Sequence, residues 1–307
     1  MTVLFLDQPE CQEAGTAGGK GASLARMASL GVAVPPAFVV SADALVAALP
    51  DGGEELRRIV AAAEDHRLDA VAERARRIVL AAETSPALRE QIAAAHRRLG
   101  DGELSVAVRS SACAEDSEAA SFAGQQETYL HVRGEEQVLS RIRDCWASFF
   151  SERALFYRSR KGSLEDLGIA VVIQRMVDAV VSGVMFTCDP VHKRRDAMVV
   201  EAVFGLGEAV VSGRLTPDLY VVRRDGEVKR RRLHPQPFAV VRSPEGGTRE
   251  CPLTEQEGGK ATLDEARLRE LARIGDQLER RLGGAQDIEW ALEDGLIYVL
   301  QSRPVTA

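Results

Sequence analysis

Long apolar runs are absent from the 307-residue chain, and no segment approaches the roughly 20 residues that cross a bilayer. The opening residues, MTVLFLDQPE, carry no basic leader and meet Asp7 after a short apolar run, so a cytosolic (cytoplasmic) chain is expected. Cysteine is scarce. Cys11, Cys113, Cys145, Cys188 and Cys251 are scattered without a Cys-x-x-Cys pair, which disfavours both a disulfide framework and a cysteine-rich zinc site. The five histidines, His66, His96, His131, His192 and His234, lack metal-ligand spacing and the glycine-rich setting of a phosphoacceptor, so each reads as a surface or core residue. An excess of positive charge is missing too: 39 basic against 46 acidic residues give a formal charge of −7, which speaks against a nonspecific nucleic-acid or anionic-membrane binder. Lysine is the rarest charged residue. Only Lys20, Lys161, Lys193, Lys229 and Lys260 occur, so arginine supplies the generic surface charge and a lysine in an unusual setting stands out.

Lys20 has such a setting, in TAGGKGASL. The P-loop pattern requires glycine where Ala14 stands and serine or threonine where Gly21 stands, so this is not a P-loop. A lysine ammonium in a glycine turn is nevertheless a compact charge suited to phosphate. The following ASLARMASLG has helical spacing and stops at Gly31, which places the glycines at a helix N-terminus. VPPAFVVSADAL reads as a Pro-led strand with Ser41 capping a further helix, and residues 54–99 as helical scaffold restarted at Ser85-Pro86 and closed by Gly100. LSVAVRSSA is a short strand, and residues 135–162 read as one long helix with Val138, Ile142, Trp146 and Phe149 on its apolar face. IAVVIQRMV and SGVMFTCDP are strands, and residues 222–262 show little periodicity. LDEARLRELARIGDQLERRLG is an amphipathic helix, and the last segment is a hairpin. There is no internal repeat or low-complexity linker. Strands and helices mix without regular βα alternation, so the fold class is α+β with two lobes rather than a Rossmann sheet.

The hairpin, DIEWALEDGLIYVLQSRP, is the most informative stretch. Strand periodicity puts Asp287 and Glu289 on one face, and Gln301 and Arg303 on one face. A two-residue Asp294-Gly295 turn would set Glu289 opposite Leu300 and leave Gln301 on the far side. A three-residue loop from Glu293 to Gly295 would set Glu289 opposite Val299 and diagonal to Gln301. Only the second register builds a site, with a carboxylate and an amide oxygen suited to Mg²⁺ beside an arginine suited to phosphate. The alternative is a surface hairpin with incidental polar residues. Arg109 ends an apolar strand, where it serves either a salt bridge or a ligand. Cys113 follows in a polar loop with no partner to lower its pKa, so a packed or half-exposed thiol is expected rather than a nucleophile. The glycines at 205, 207 and 213 are too irregular for a dinucleotide fingerprint.

Taken in order, GGKGASL, VAVRSSACAEDSEAASFAGQQETYL, IQRMV, SGVMFTCDPV, EAVFGLGEAVVSG with TPD, and DIEWALEDGLIYVLQSRP resemble the N-terminal nucleotide-binding domain of the phosphoenolpyruvate synthase and pyruvate phosphate dikinase family, also found in rifampin phosphotransferases. The matching runs extend from about residue 15 to 304. This resemblance implies an ATP-grasp fold with ATP between two lobes: an N-terminal lobe with a helical insertion over 1–178, and a C-terminal lobe with the magnesium-binding hairpin over 179–307. It implies that Lys20, Arg109 and Arg303 act on the phosphates, and that Gly124 in SFAGQQ lets a loop approach them. By the same resemblance Gln174, Met176 and Val177 border the adenine and supply backbone hydrogen bonds, and Glu289 and Gln301 hold Mg²⁺. Cys113 in the polar loop and His192 after CDPV are minor departures from the family. Full-length members continue into a domain whose histidine carries the phosphoryl group, and most have a further domain for the final substrate. This sequence stops three residues after Pro304 without a candidate for that histidine. The expected function is therefore a phosphotransferase subunit that uses Mg-ATP and passes a phosphoryl group to a histidine on a separate protein, with AMP and phosphate released. A direct kinase or ATP-driven ligase component acting on a small molecule, and a nucleotide-binding module without turnover, remain the other readings.

Overall fold

The computed structural model describes residues 2–62, 68–100, 104–113, 127–161, 164, 166–189, 196–211, 213–244 and 247–305. Gly124 and the rest of SFAGQQ lie outside the described residues, as do His66 and His192. The chain divides into two compact units, Met1–Ala25 with Pro36–Met176 and Arg26–Pro35 with Val177–Ala307.

Unit 1 contains β1 (Val3–Phe5), most of α1 (Ala14–Ser29), β2 (Ala37–Val40), α2 (Asp43–Ala48), α3 (Glu54–Ala61), α4 (Leu68–Ala81), α5 (Pro86–Leu99), β3 (Val106–Ala112), β4 (Thr128–Val132), α6 (Glu135–Ser148), α7 (Glu152–Lys161) and β5 (Ile169–Arg175). The strands form one sheet in the order β1-β2-β5-β3-β4, each pair antiparallel. Alternation along the strands separates two faces. Phe38, Val40, Val106, Val108, Ile169, Val171 and Ile173 join one buried cluster with helix residues such as Leu45, Leu56, Ile92, Trp146 and Phe150. The opposite face carries Val39, Ala107, Arg109, Ser111, Val172 and Gln174, and α1 lies against it: a Cβ on Gly21 would stand 3.1 Å from Val39 Cγ2.

Two local expectations change here. The single helix expected over 135–162 is two, because the Ser151 hydroxyl accepts the Ala154 N–H at 3.3 Å and opens α7, while Phe150 N–H closes back on Ala147. Arg158 fills that break. Its guanidinium is buried, donates to the carbonyls of Phe149 (3.3 Å), Leu164 (3.0 Å) and Asp166, and lies 4.0 Å over the Phe149 ring. Ser85 caps α5 by accepting Leu88 N–H at 3.2 Å, as its sequence position predicts. Ser41 does not cap α2, whose N-cap is Ala42. Its backbone N–H instead extends the strand pairing to Thr2.

Unit 2 contains β6 (Val181–Phe186), β7 (Ala197–Phe204), α8 (Glu208–Val211), β8 (Asp218–Arg223), β9 (Val228–Arg232), β10 (Phe238–Arg242), β11 (Thr248–Pro252), α9 (Glu255–Gly258), α10 (Glu265–Leu282), β12 (Gln286–Glu293) and β13 (Leu296–Pro304). Six strands form an antiparallel sheet in the order β13-β12-β6-β7-β8-β9, and β10 pairs with β11 separately. The stretch 222–262 is thus not irregular. It holds three strands and a short helix, and VKRRR of β9 escapes an apolar-alternation test because it is a mostly exposed, basic strand at the sheet edge. Asp264 opens α10 by accepting Arg267 N–H at 2.8 Å, and Gly283 closes it at φ 83°. Gly275 lets α10 sit close on the sheet, since a Cβ there would be 3.0 Å from Met185 Cε and 3.1 Å from Met198 Sδ. Segment 26–35 is tied to this unit by Gln277 Nε2 donating to Leu30 O (2.7 Å) and Val299 N–H donating to Ala33 O (2.9 Å). Among the described residues no helix is long and apolar enough to cross a membrane.

Candidate functional site

The unit 1 residues singled out above converge on β3. Gly18, at φ 69° and ψ 172°, breaks α1 into two helical pieces, and Lys20 stands in the first turn of the second. The last residues of β3 hold this glycine segment. Lys20 Nζ donates to Ser110 O at 3.1 Å, and the Ser111 hydroxyl accepts Gly21 N–H at 3.2 Å and donates to Ala17 O at 3.0 Å. Just beyond β3, Cys113 Sγ reaches Gly15 O at 3.5 Å. Burial pushes the Cys113 thiol up to about 11, with Asp166 and Asp43 adding to it, so it is a protonated, packed side chain at neutral pH. Arg109 projects from the same strand face as Ser111, between Val172 of β5 and Thr128 of β4. Its Nη1 donates to Gln174 Oε1 at 3.4 Å. Because a guanidinium only donates, it turns the amide oxygen toward itself and the amide nitrogen away. Gln174 is 3% exposed and its Nε2 has no partner, a buried donor awaiting an acceptor.

Met176 and Val177, expected beside the adenine, follow Gln174 in the chain. Met176 N–H is already donated to Ser105 O at 2.9 Å, and its carbonyl accepts Arg175 Nη1 at 3.3 Å, so a ligand finds no free N–H on Met176. Val177 begins the second stretch of unit 2, and its side chain is buried with Ala179, Val203, Leu206 and Ala291.

In unit 2 the hairpin follows neither simple register. The turn is the two-residue one, Glu293 pairing with Leu296 and both Asp294 (φ 49°) and Gly295 (φ 79°) left-handed, as a type I′ turn requires. That turn alone would have put Gln301 on the wrong face. A β-bulge corrects it: Trp290 pairs with Val299 but Glu289 pairs with Gln301, leaving Leu300 as the extra residue. Glu289 and Gln301 therefore stand directly opposite each other, closer than the three-residue loop would have allowed. One step along, Arg303 Nε and Nη2 reach Asp287 Oδ2 at 2.8 and 2.7 Å. Burial raises the Asp287 carboxyl, an effect that Arg303 opposes and Glu289 reinforces.

Sequence patterning does not single out Glu201. Register places Glu201, Val184, Glu289 and Gln301 in one transverse row across β7, β6, β12 and β13, on one face of the sheet. Burial raises the Glu201 carboxyl. The available signal is a single charge inside AMVVEAVF. Ser111 escapes notice too, its signal being a hydroxyl two positions after Arg109 on the same strand face. Among the described residues no group of three or more His, Cys, Asp or Glu is gathered as a metal cage. Mg²⁺ needs no such cage. It takes one or two protein oxygens and completes its shell with water and phosphate, and the Glu289 carboxylate facing the Gln301 amide suits that demand.

A profile of the pyruvate phosphate dikinase AMP/ATP-binding domain matches residues 14–307. The chain belongs to this family. The dikinase-type domain is 38% identical over 99% of its length to a probable phosphoenolpyruvate synthase of Methanocaldococcus jannaschii, covering 26% of that protein. It is 40% identical over its full length to a probable phosphoenolpyruvate synthase of Archaeoglobus fulgidus, covering 42%. It is 41% identical over 99% of its length to a rifampicin phosphotransferase of a Streptomyces species, covering 36%. The domain thus spans under half the length of these relatives. Among solved structures, D-alanyl-alanine synthetase A from Vibrio cholerae aligns over 94% of this chain and 55% of its own, with 11% identity and a TM-score of 0.39.

Proposed function

We propose that this chain binds Mg-ATP in an ATP-grasp arrangement and begins a phosphoryl transfer to a histidine on a separate protein. The observation that carries the reading is the bulged hairpin, which uses an extra residue to bring a carboxylate and an amide oxygen face to face in a family described as AMP/ATP-binding. Glu289 and Gln301 would hold Mg²⁺, which when bound neutralises charge on the phosphates. Lys20, Arg109 and Arg303 bind phosphate oxygens, Arg303 exchanging its contact with Asp287 for the ligand. The buried Gln174 amide donates to an acceptor on the base, and Val177 borders the base. Phosphoryl transfer is mainly positioning plus neutralisation of developing charge, which this set supplies. The described histidines fit poorly as acceptors: His96 and His131 are buried, and His234 Nδ1 lies 2.7 Å from Pro217 O.

The test separates adenine nucleotides after the protein is incubated with Mg-ATP, alone and with extract from its own source. AMP that forms only with extract, together with acid-labile phosphoprotein, is the expected outcome. ADP with a phosphorylated or ligated small molecule would replace this reading with the kinase or ligase one, and bound but intact ATP in both arms would reduce the chain to a binding module. Lys20→Ala, Arg109→Ala and Glu289→Ala should each abolish the ATP consumption while leaving the fold intact.

A further inference from the structure

We infer that Ser111 is a positioning residue that fixes Lys20 for phosphate binding by capping, from a different strand, the helix that carries it. The inference rests on the reading of Lys20 as a phosphate ligand. A helix begins with N–H groups that have no partner within it, and an N-cap side chain ordinarily accepts from one of them. The second piece of α1 starts after Gly18, which has no side chain to offer. Its third N–H, that of Gly21, is accepted instead by the hydroxyl of Ser111, 90 residues away. The same hydroxyl donates to the carbonyl of Ala17, the residue that ends the first helical piece. One oxygen thus ties both sides of the break and sets its angle.

Lys20 lies inside this clamp, and its ammonium donates to the carbonyl of Ser110 on the same strand. Arg109 stands two residues earlier on the strand face that bears Ser111, so the spacing between the two phosphate-binding cations is set through β3. Ser111 is completely buried and carries its hydroxyl away from solvent, so no water stands ready to replace it. A residue acting in this way affects the phosphate end of the ligand and leaves the base end alone.

The experiment compares Mg-ATP and adenosine affinities, by calorimetry and by competition, for the wild type, Ser111→Ala, Lys20→Met and the double variant. Ser111→Ala should weaken Mg-ATP about tenfold, the factor expected for losing one buried hydrogen-bond pair, and change adenosine by less than about twofold. In the Lys20→Met background Ser111→Ala should cost nothing further, because the ammonium it positions is gone. Ser111→Cys, which keeps a weak donor and acceptor of similar size, should fall between, and it carries the same comparison where the alanine variant does not fold. Equal losses for ATP and adenosine, or fully additive losses with Lys20→Met, would overturn the inference. So would wild-type affinity in Ser111→Ala when Lys20→Met is weak, with the phosphate reading left standing. A wild type that binds no Mg-ATP, or a Lys20→Met variant that binds it normally, would overturn both.

Discussion

Replacing Gly18 by alanine tests how tightly the lysine-bearing turn is built, and the neighbouring Gly15 supplies a control of opposite sign. At φ 69° and ψ 172° Gly18 occupies backbone space essentially reserved for glycine, which costs another residue about 1–3 kcal/mol. A Cβ there would also stand 2.1 Å from Ser111 O and 2.2 Å from Ser111 Oγ, distances that side chains do not tolerate. Relief requires α1 to lift from β3, which forfeits the two Ser111 hydrogen bonds at about 0.5–1.5 kcal/mol each. The sum is roughly 2–6 kcal/mol, a large share of the ~5–15 kcal/mol that stabilises a typical domain. Gly15 lies in the first helical piece, where an added Cβ would meet nothing within 4 Å, so Gly15→Ala should stabilise by about 0.5–1 kcal/mol through helix propensity alone. Guanidinium unfolding at unchanged m-value reads both differences. A Gly18→Ala cost below about 1 kcal/mol, or the same sign for both variants, would refute the close contact between the turn and β3.

Glu289→Gln keeps the hydrogen-bonding shape but removes a charged ligand, so the Mg²⁺ midpoint for ATP consumption should rise about tenfold or more; an unchanged midpoint would remove Glu289 from the metal site. Glu201 has its folded-state pKa raised by burial, so the stability linked to its proton is fully present below the unfolded pKa and is lost as pH rises through the folded one. Glu201→Gln, which mimics the protonated acid, should raise Tm at pH 7 and give no gain at about pH 3, and a gain of equal size at both would disprove the sign. Arg158→Ala leaves three carbonyls without their donor and a void beside Phe149, for a cost of about 3 kcal/mol or more by denaturant unfolding. Deleting Leu300 should preserve Mg-ATP binding within about threefold, because the shortened β13 still sets Gln301 opposite Glu289 without the bulge; loss of binding would show that the bulge itself shapes the site.

The helices that have strong periodicity and clear ends are legible in the sequence: Ser85 before α5, and Asp264 and Gly283 around α10, act as local signals do. What is not legible depends on partners distant in the chain. The break between α6 and α7 is sealed by Arg158 reaching back to Phe149 and forward to Leu164, and no local window contains that arrangement. The Ser111 cap joins residues 90 apart. The hairpin is half legible: the Asp294-Gly295 dipeptide names its turn, but the bulge at Leu300 follows from keeping Trp290 and Val299 on the buried face while Glu289 and Gln301 share the other. Residues 26–35, contiguous in sequence with the glycine turn, pack with unit 2 because Leu30 and Ala33 find hydrogen-bond partners on α10 and β13.

Within each unit, the polar residues of the candidate site have a common origin. Arg109 interrupts VAVRSSA, Gln174 interrupts IAVVIQR, Glu201 interrupts AMVVEAVF and Glu289 interrupts QDIEWALE. Each stands on the face of its sheet turned away from the main helical layer, α2–α7 in unit 1 and α10 in unit 2. Apolar residues at those positions would give a better-covered sheet, since a buried polar group without a full set of partners costs free energy. The raised carboxyls of Asp287 and Glu201 and the unpartnered Gln174 Nε2 are the local record of that cost. Under the proposed function, an acceptor on the ligand offsets it at Gln174 and a divalent cation offsets it at Glu289 and its neighbours. A polar residue within an otherwise apolar strand is therefore a more informative signal in this chain than any of its glycine patterns.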